Sequence, residues 1–406
     1  MAEGSAQLQE IFNSGGTERK NAAPTDILLA VAVLVSVLAI CNHELVSRVC
    51  SFALYAVWGM LAVVLVVANH RLRFNLTFAM LVGVWVFTFL QNQLFWSLGF
   101  YRTGGLGVAR TLLMCAAFYE IGLNCNTTYK TLRTLLGTYI LGAFLLMLFR
   151  RSSGLALDSV DKNAIGAVCG AALFAVFILL RRFPVSQKQK YCLYLVAGYI
   201  GLTLVSMHTR TPVGALLGTL LSLYMLKHKL AKNMFVGLFL LAIAIYLMPI
   251  LLEYQGFLDY VQGVKTSDEL TLNSVTSDRM GFWSQAWEDI KAHPWIGQGG
   301  WAYVDCFPLF VLRQGGLLSA LVIFSVTYGK FIHVLQKARA HWLTMGEKNS
   351  SNDVLLELAT GLVLYYTGAS LFEGYTPFGP ATSTFFLWLL LGMFDARDVA
   401  PEAQAA

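Results

Sequence analysis

Charge is what this chain has little of. Lys, Arg, Asp and Glu make up 13% of its 406 residues, 57% are hydrophobic, and the mean hydropathy is +0.61. Soluble domains carry about 25% charged residues. The deficit excludes an ordinary water-soluble fold and puts the chain among membrane proteins. Paired cysteine motifs are missing as well. Cys41, Cys50, Cys115, Cys125, Cys169, Cys192 and Cys306 form no CxxC pair and no metal spacing, and the odd count argues against a disulfide framework. Most lie in apolar runs, where cysteine serves as a small core residue. No metal site and no cofactor are expected. The net charge is +6, but the basic residues fall in short segments between apolar runs instead of one patch, which argues against a nucleic-acid partner.

What is present is a series of apolar runs, each long enough to cross a bilayer or nearly so. Twelve are read, at 27–42, 49–69, 74–91, 105–123, 132–149, 164–180, 191–207, 212–226, 233–251, 307–328, 354–373 and 380–394. The first, eighth and last are short. The expected fold is all-α, a polytopic transmembrane bundle of about 12 spans. Arg19 and Lys20 precede the first run as in a signal peptide, yet many runs follow, so a signal-anchor span is the better reading. The intervening segments alternate in charge. Arg71/Arg73, Lys130/Arg133, Arg181/Arg182/Lys188/Lys190, Lys227/Lys229/Lys232, Lys330/Lys337/Arg339/Lys348 and Arg397 all fall on the side of Arg19/Lys20. The positive-inside rule makes that side cytoplasmic, with both termini. The expected organisation is a cytoplasmic segment 1–26, spans one to nine over 27–251, an extracytoplasmic loop 252–306, spans ten to twelve over 307–394, and a cytoplasmic tail 395–406.

The loop is the one long polar stretch. From Asp278 to Ile290 it is amphipathic, with Met280, Trp283, Trp287 and Ile290 on one face and Ser284, Glu288, Asp289 and Lys291 on the other. Ser277 is a plausible N-cap, and Pro294, Gly297, Gly299 and Gly300 end the element. Such a helix either plugs the bundle or lies in the headgroup region, and the two are compatible. Arg279 falls in its first turn. A cation there does not help the helix, whereas a bound anion would fit; a solvated loop arginine is the plain alternative.

Charge at membrane depth costs at least about 2.5–3.5 kcal/mol on insertion scales, so each such residue carries a functional hypothesis. Arg110 falls in span four and Arg313 in span ten, ahead of Gly315-Gly316, which would let the helix break or pack closely. Glu120, Glu357 and Glu373 fall in or near spans four and eleven. For Arg110 and Arg313 the plain alternative is pairing with an acid on a neighbouring span. Arg210 lies in a tight external turn, Met207 to Pro212, where snorkelling is the alternative. Arg210 and Arg279 on one membrane face suggest a diphosphate site, since guanidinium pairs bidentately with phosphate oxygens and stays charged.

Four segments in order resemble the family of O-antigen ligases and surface-polysaccharide polymerases, bacterial polytopic membrane glycosyltransferases. They are Asp161-Lys162-Asn163-Ala164-Ile165-Gly166, similar to a span entrance; His208-Thr209-Arg210-Thr211, similar to a turn before a span; Ser277-Asp278-Arg279-Met280-Gly281-Phe282-Trp283 through His293-Pro294-Trp295-Ile296-Gly297-Gln298-Gly299, similar to the outer-loop signature; and Leu309 to Ser319, similar to the span after it. The likeness covers roughly residues 160–330.

The resemblance implies a metal-independent, inverting glycosyltransferase in the bacterial cytoplasmic (inner) membrane, its active site facing outward. The donor would be an undecaprenyl-diphosphate-linked oligosaccharide, the acceptor a glycan or lipid, and the product O-antigen, capsule or exopolysaccharide. Arg210 and Arg279 match the arginines that hold the donor diphosphate, where fixed positive charge would stabilise the departing group. Arg110, Arg313 and Glu373 are possible additional site residues. Membrane lipids, a flippase and chain-length regulators are the implied partners. At one place the chain departs from the pattern: the family's His-Asn pair reads Asp305-Cys306 here. The general base is therefore sought in Asp305 or His208, while His293 is read as structural. The turn at His208–Thr211 and the run Gly315–Ser319 lean toward a polymerase. An O-antigen ligase acting on lipid A core is the alternative, and a transporter or flippase is the rival from another class. Transporters often show internal repeats, and none is seen: the long loop lies between spans nine and ten, not at the midpoint.

Overall fold

The computed structural model describes residues 22–41, 44–69, 72–99, 107–125, 127–152, 162–207, 210–228, 279–299, 304–344, 350–372, 377–379 and 381–398. These residues form twelve helices and no strand: α1 (Ala22–Leu38), α2 (Glu44–Asn69), α3 (Leu76–Ser97), α4 (Gly107–Asn124), α5 (Tyr129–Ser152), α6 (Lys162–Arg182), α7 (Gln187–Ser206), α8 (Arg210–Lys227), α9 (Arg279–Ala292), α10 (Phe307–Thr344), α11 (Ser351–Ser370) and α12 (Ala381–Asp398). Eleven fall on expected spans; α9 is the amphipathic helix of the loop. The ninth expected span, at 233–251, lies outside the described residues. Five helices, α2, α3, α5, α6 and α10, are long and apolar enough to cross a membrane by length and composition alone.

Burial sorts the helices into a centre and a ring. α12 is buried almost throughout, and Trp388, Phe385 and Phe386 meet Tyr119 of α4, Tyr139 of α5 and Tyr365 and Tyr366 of α11 in one core. α4 and α12 touch backbone to backbone. A Cβ at Gly122 would sit 2.1 Å from the Leu389 carbonyl oxygen, and one at Gly392 would sit 2.0 Å from that of Tyr119. Only glycine allows this approach, as in other membrane helix pairs. The ring turns apolar side chains outward: Phe52 is 86% exposed, and Leu195 and Leu202 are similarly bare. A soluble surface does not tolerate so much contiguous apolar area, so the outward faces are those of a polytopic membrane protein. Five of the seven cysteines are buried, as expected of core residues; Cys192 is exposed and Cys306 half-buried.

The helix ends that carry the basic residues gather at one end of the bundle. Glu357 of α11 is fully buried and takes three cations: Arg182 at 2.5 Å and Arg181 at 3.3 Å from α6, and Lys227 at 2.5 Å from α8. Lys227 also lies over the Trp342 ring, 5.2 Å from its centroid. Lys330 of α10 pairs with Asp395 of α12, which also accepts from the Tyr119 hydroxyl. Arg397 donates to Ser351 and to the Thr127 carbonyl. Asn124 joins the end of α4 to Arg73 and Asn69 and also donates to Glu120. Two expectations change here. Arg181, Arg182 and Lys227 are the last turns of helices and not loop residues. Lys330, Lys337 and Arg339 belong to α10, which continues to Thr344, sixteen residues beyond the expected end of span ten. The charges marked a span end by sequence because an isolated lysine looks exposed; Lys330 is buried and neutralised by Asp395.

Candidate functional site

At the opposite end of α10 the helix is broken. Gly316 has φ 64° and ψ −166°, a region open essentially to glycine alone. A break strands the carbonyls before it and the N–H groups after it, and membrane interiors do not leave such groups unpaired. Here the stretch after α9 satisfies most of them. The Gln298 and Gly299 amides donate to the Arg313 and Gln314 carbonyls at 2.9 Å each, while the Leu317 and Leu318 amides donate back to the Pro294 and Trp295 carbonyls at 2.8 and 3.3 Å. The approach is too close for side chains. A Cβ at Gly297 would lie 2.5 Å from the Gln314 carbonyl, and one at Gly316 would lie 2.4 Å from that of Trp295. The glycines of the turn and of the span are thus one clasp, which explains why both occur in the sequence.

The last carbonyl before the break, that of Gly315, is met from another helix. Gln91 of α3 donates to it at 2.9 Å and accepts from the Ser319 hydroxyl at 2.6 Å. Thr88, Asn92, Gln314 and Ser319 line a small cavity beside this contact, and the buried Thr88 hydroxyl has no partner among the described residues. Thr88, Gln91 and Asn92 stand at i, i+3 and i+4, one face of α3. This periodicity is the signal in the sequence; the expected end of span three at 91 cuts through it, whereas α3 continues to Ser97.

α9 packs against the broken helix with Ala286 and Ile290 buried, and Arg313 pairs with Asp289 at 2.6 Å. Arg313 therefore has its acid, supplied by the loop helix. The expected apolar stripe needs one correction: Trp287 is 49% exposed, and Ala286 takes its place in the contact. Asp289 lies on the Ala286 side of the helix, so the ion pair turns Trp287 outward, and alanine permits the close approach. Trp283 faces inward and meets Phe372 at the end of α11, with ring centroids 6.3 Å apart. Phe282 and Trp295 are exposed as well. The helix both closes on the bundle and presents aromatics outward.

Arg210 is the first residue of α8, Arg279 the first of α9, and Arg110 stands in the first turn of α4. None of these first turns holds an acidic residue. Two helices thus begin with an arginine, and a third carries one in its first turn, where the backbone already favours anions. The side chains of all three lie outside the described residues, as do His208 and Glu373. Along α9 Arg279 stands about 15 Å from Asp289 at helical rise. α8 packs on α11, α6 and α10. Asp305 is half-buried two residues before α10, and burial pushes the neighbouring Cys306 thiol above its usual range. His293 closes the end of α9 with its backbone, its amide donating to Asp289 and its carbonyl accepting from Gly297, while its side chain is exposed.

Residues 194–356 match the family model described as O-Antigen ligase. The match covers about two-fifths of the chain and runs from α7 into α11, taking in Arg210, Arg279, Asp305, Arg313 and the whole clasp. No curated protein matches the chain.

Proposed function

We propose, from the similarity of residues 194–356 to the O-antigen ligase family, that this membrane protein is a glycosyltransferase of surface-polysaccharide synthesis, taking glycan from a polyprenyl-diphosphate donor. The observation that carries the reading is the position of Arg210 and Arg279, each opening a helix within the matched stretch. A diphosphate offered to two such ends would gain backbone N–H donors and a guanidinium at each. In an inverting transfer the acceptor hydroxyl attacks the anomeric carbon while the bond to the diphosphate oxygen breaks. The hydroxyl proton passes to a base, and the arginines neutralise the charge arriving on the leaving group. Asp305, at the head of α10 where the family has histidine, is the base in this reading, with His208 second. The acceptor is the growing polysaccharide of a polymerase; transfer to lipid A core is the ligase alternative. The ends bearing the basic residues face the cytoplasm and the clasp faces outward.

Complementation of a strain lacking the gene is the test. Arg210→Ala and Arg279→Ala should each abolish glycan assembly with protein level unchanged, and Asp305→Ala should reduce it. Full complementation by both arginine variants would remove the diphosphate site. Glycan assembly unaltered in Asp305→Ala would move the base elsewhere.

A further inference from the structure

Across the break, the turn after α9 makes four backbone hydrogen bonds to the two halves of α10. A fifth hydrogen bond at the break, to the Gly315 carbonyl, comes from a side chain of α3, a helix outside the family match. Gln91 is 7% exposed and Ser319 3% exposed. One amide group thus touches both sides of the break: its nitrogen meets the last carbonyl of the first half, and its oxygen meets a hydroxyl in the first turn of the second. The break fixes the turn 294–299, the turn ends α9, and α9 is further held to α10 by Arg313 and Asp289. Arg279 begins that same helix.

We propose that Gln91 is a positioning residue for glycan transfer, its amide locking the two halves of α10 in register so that α9 presents Arg279 at a fixed place. This rests on the functional reading above for its consequence, and on the geometry alone for the lock. Glutamine suits the task because it offers a donor and an acceptor from one planar group without a charge to bury. Leucine fills similar space and offers neither.

The experiment compares wild-type, Gln91→Leu and Ser319→Ala full-length protein in lipid nanodiscs by amide hydrogen exchange, alongside glycan assembly in cells. In Gln91→Leu, exchange over 294–299 and 313–318 should rise about tenfold while exchange in α11 stays at the wild-type level, which shows that the bundle is folded. Glycan assembly should fall about tenfold with it. Ser319→Ala, which leaves the bond to Gly315, should shift both readouts in the same direction by less. Unchanged exchange at the clasp in Gln91→Leu overturns the lock. Raised exchange with wild-type glycan assembly overturns the positioning role. A wild-type protein that assembles no glycan defeats the functional reading instead, and the exchange data still decide whether Gln91 holds the break.

Discussion

Gly316→Ala puts the clasp under the most direct stress. Two costs combine. The backbone at φ 64°, ψ −166° costs a residue with a Cβ about 1–3 kcal/mol. The new Cβ would stand 2.4 Å from the Trp295 carbonyl and 2.5 Å from the Ile296 nitrogen. These are backbone atoms, so the turn itself has to withdraw. Withdrawal breaks the four hydrogen bonds between 294–299 and α10, at about 0.5–1.5 kcal/mol each. The total is about 3–9 kcal/mol, and its lower end already corresponds to roughly a hundredfold in local opening. Gly329→Ala is the control. Gly329 lies farther along the same helix, and a Cβ there meets nothing within 4 Å, so alanine should be neutral or slightly stabilising. Intrinsic-fluorescence melting of the purified protein and amide exchange over 294–299 read the difference. The reasoning fails if Gly316→Ala melts with wild-type midpoint and keeps its clasp protected.

Two further outcomes follow from the charged contacts. Glu357→Gln should cost about 3–5 kcal/mol, seen as a lowered melting midpoint, because Arg182 and Lys227 are buried against that carboxylate; a wild-type midpoint would show that the cluster does not hold α6, α8 and α11 together. A double-mutant cycle on Asp289→Ala and Arg313→Ala should give a coupling of about 0.5–3 kcal/mol, since both side chains are mostly buried; additive effects would mean that α9 is held by Ala286 and Ile290 alone.

The sequence carried much of this arrangement where a one-dimensional pattern encodes it. Apolar runs located eleven helices, since hydropathy and length are local properties. The pair Gly315-Gly316 permitted a break or close packing without choosing between them, and Pro294 with the following glycines marked the end of α9. What stayed hidden were contacts between distant segments. Gln91 and Gly315 are 224 residues apart, and nothing local couples them; in a run of apolar residues a glutamine reads as a helix end. Lys330 misled in the same way, because its partner Asp395 is on another helix. For Arg313 the sequence offers, as the plain alternative to a site role, an acid on a neighbouring span; its partner Asp289 stands instead on the loop helix, where the sequence pattern puts it on the polar face. The sequence pattern also gave Trp287 to the buried face, because periodicity counts hydrophobicity and not the close approach that Ala286 permits.

The central claim, that Arg210 and Arg279 act on a lipid-borne diphosphate, is tested most directly by reconstitution. Purified protein in lipid vesicles, supplied with a polyprenyl-diphosphate-linked oligosaccharide and an acceptor glycan, should lengthen the acceptor and release polyprenyl diphosphate. Arg279→Ala and Arg210→Ala should each slow that release by about a hundredfold or more, the scale of losing one fixed charge at a leaving group. Release at the wild-type rate from both variants would contradict the account.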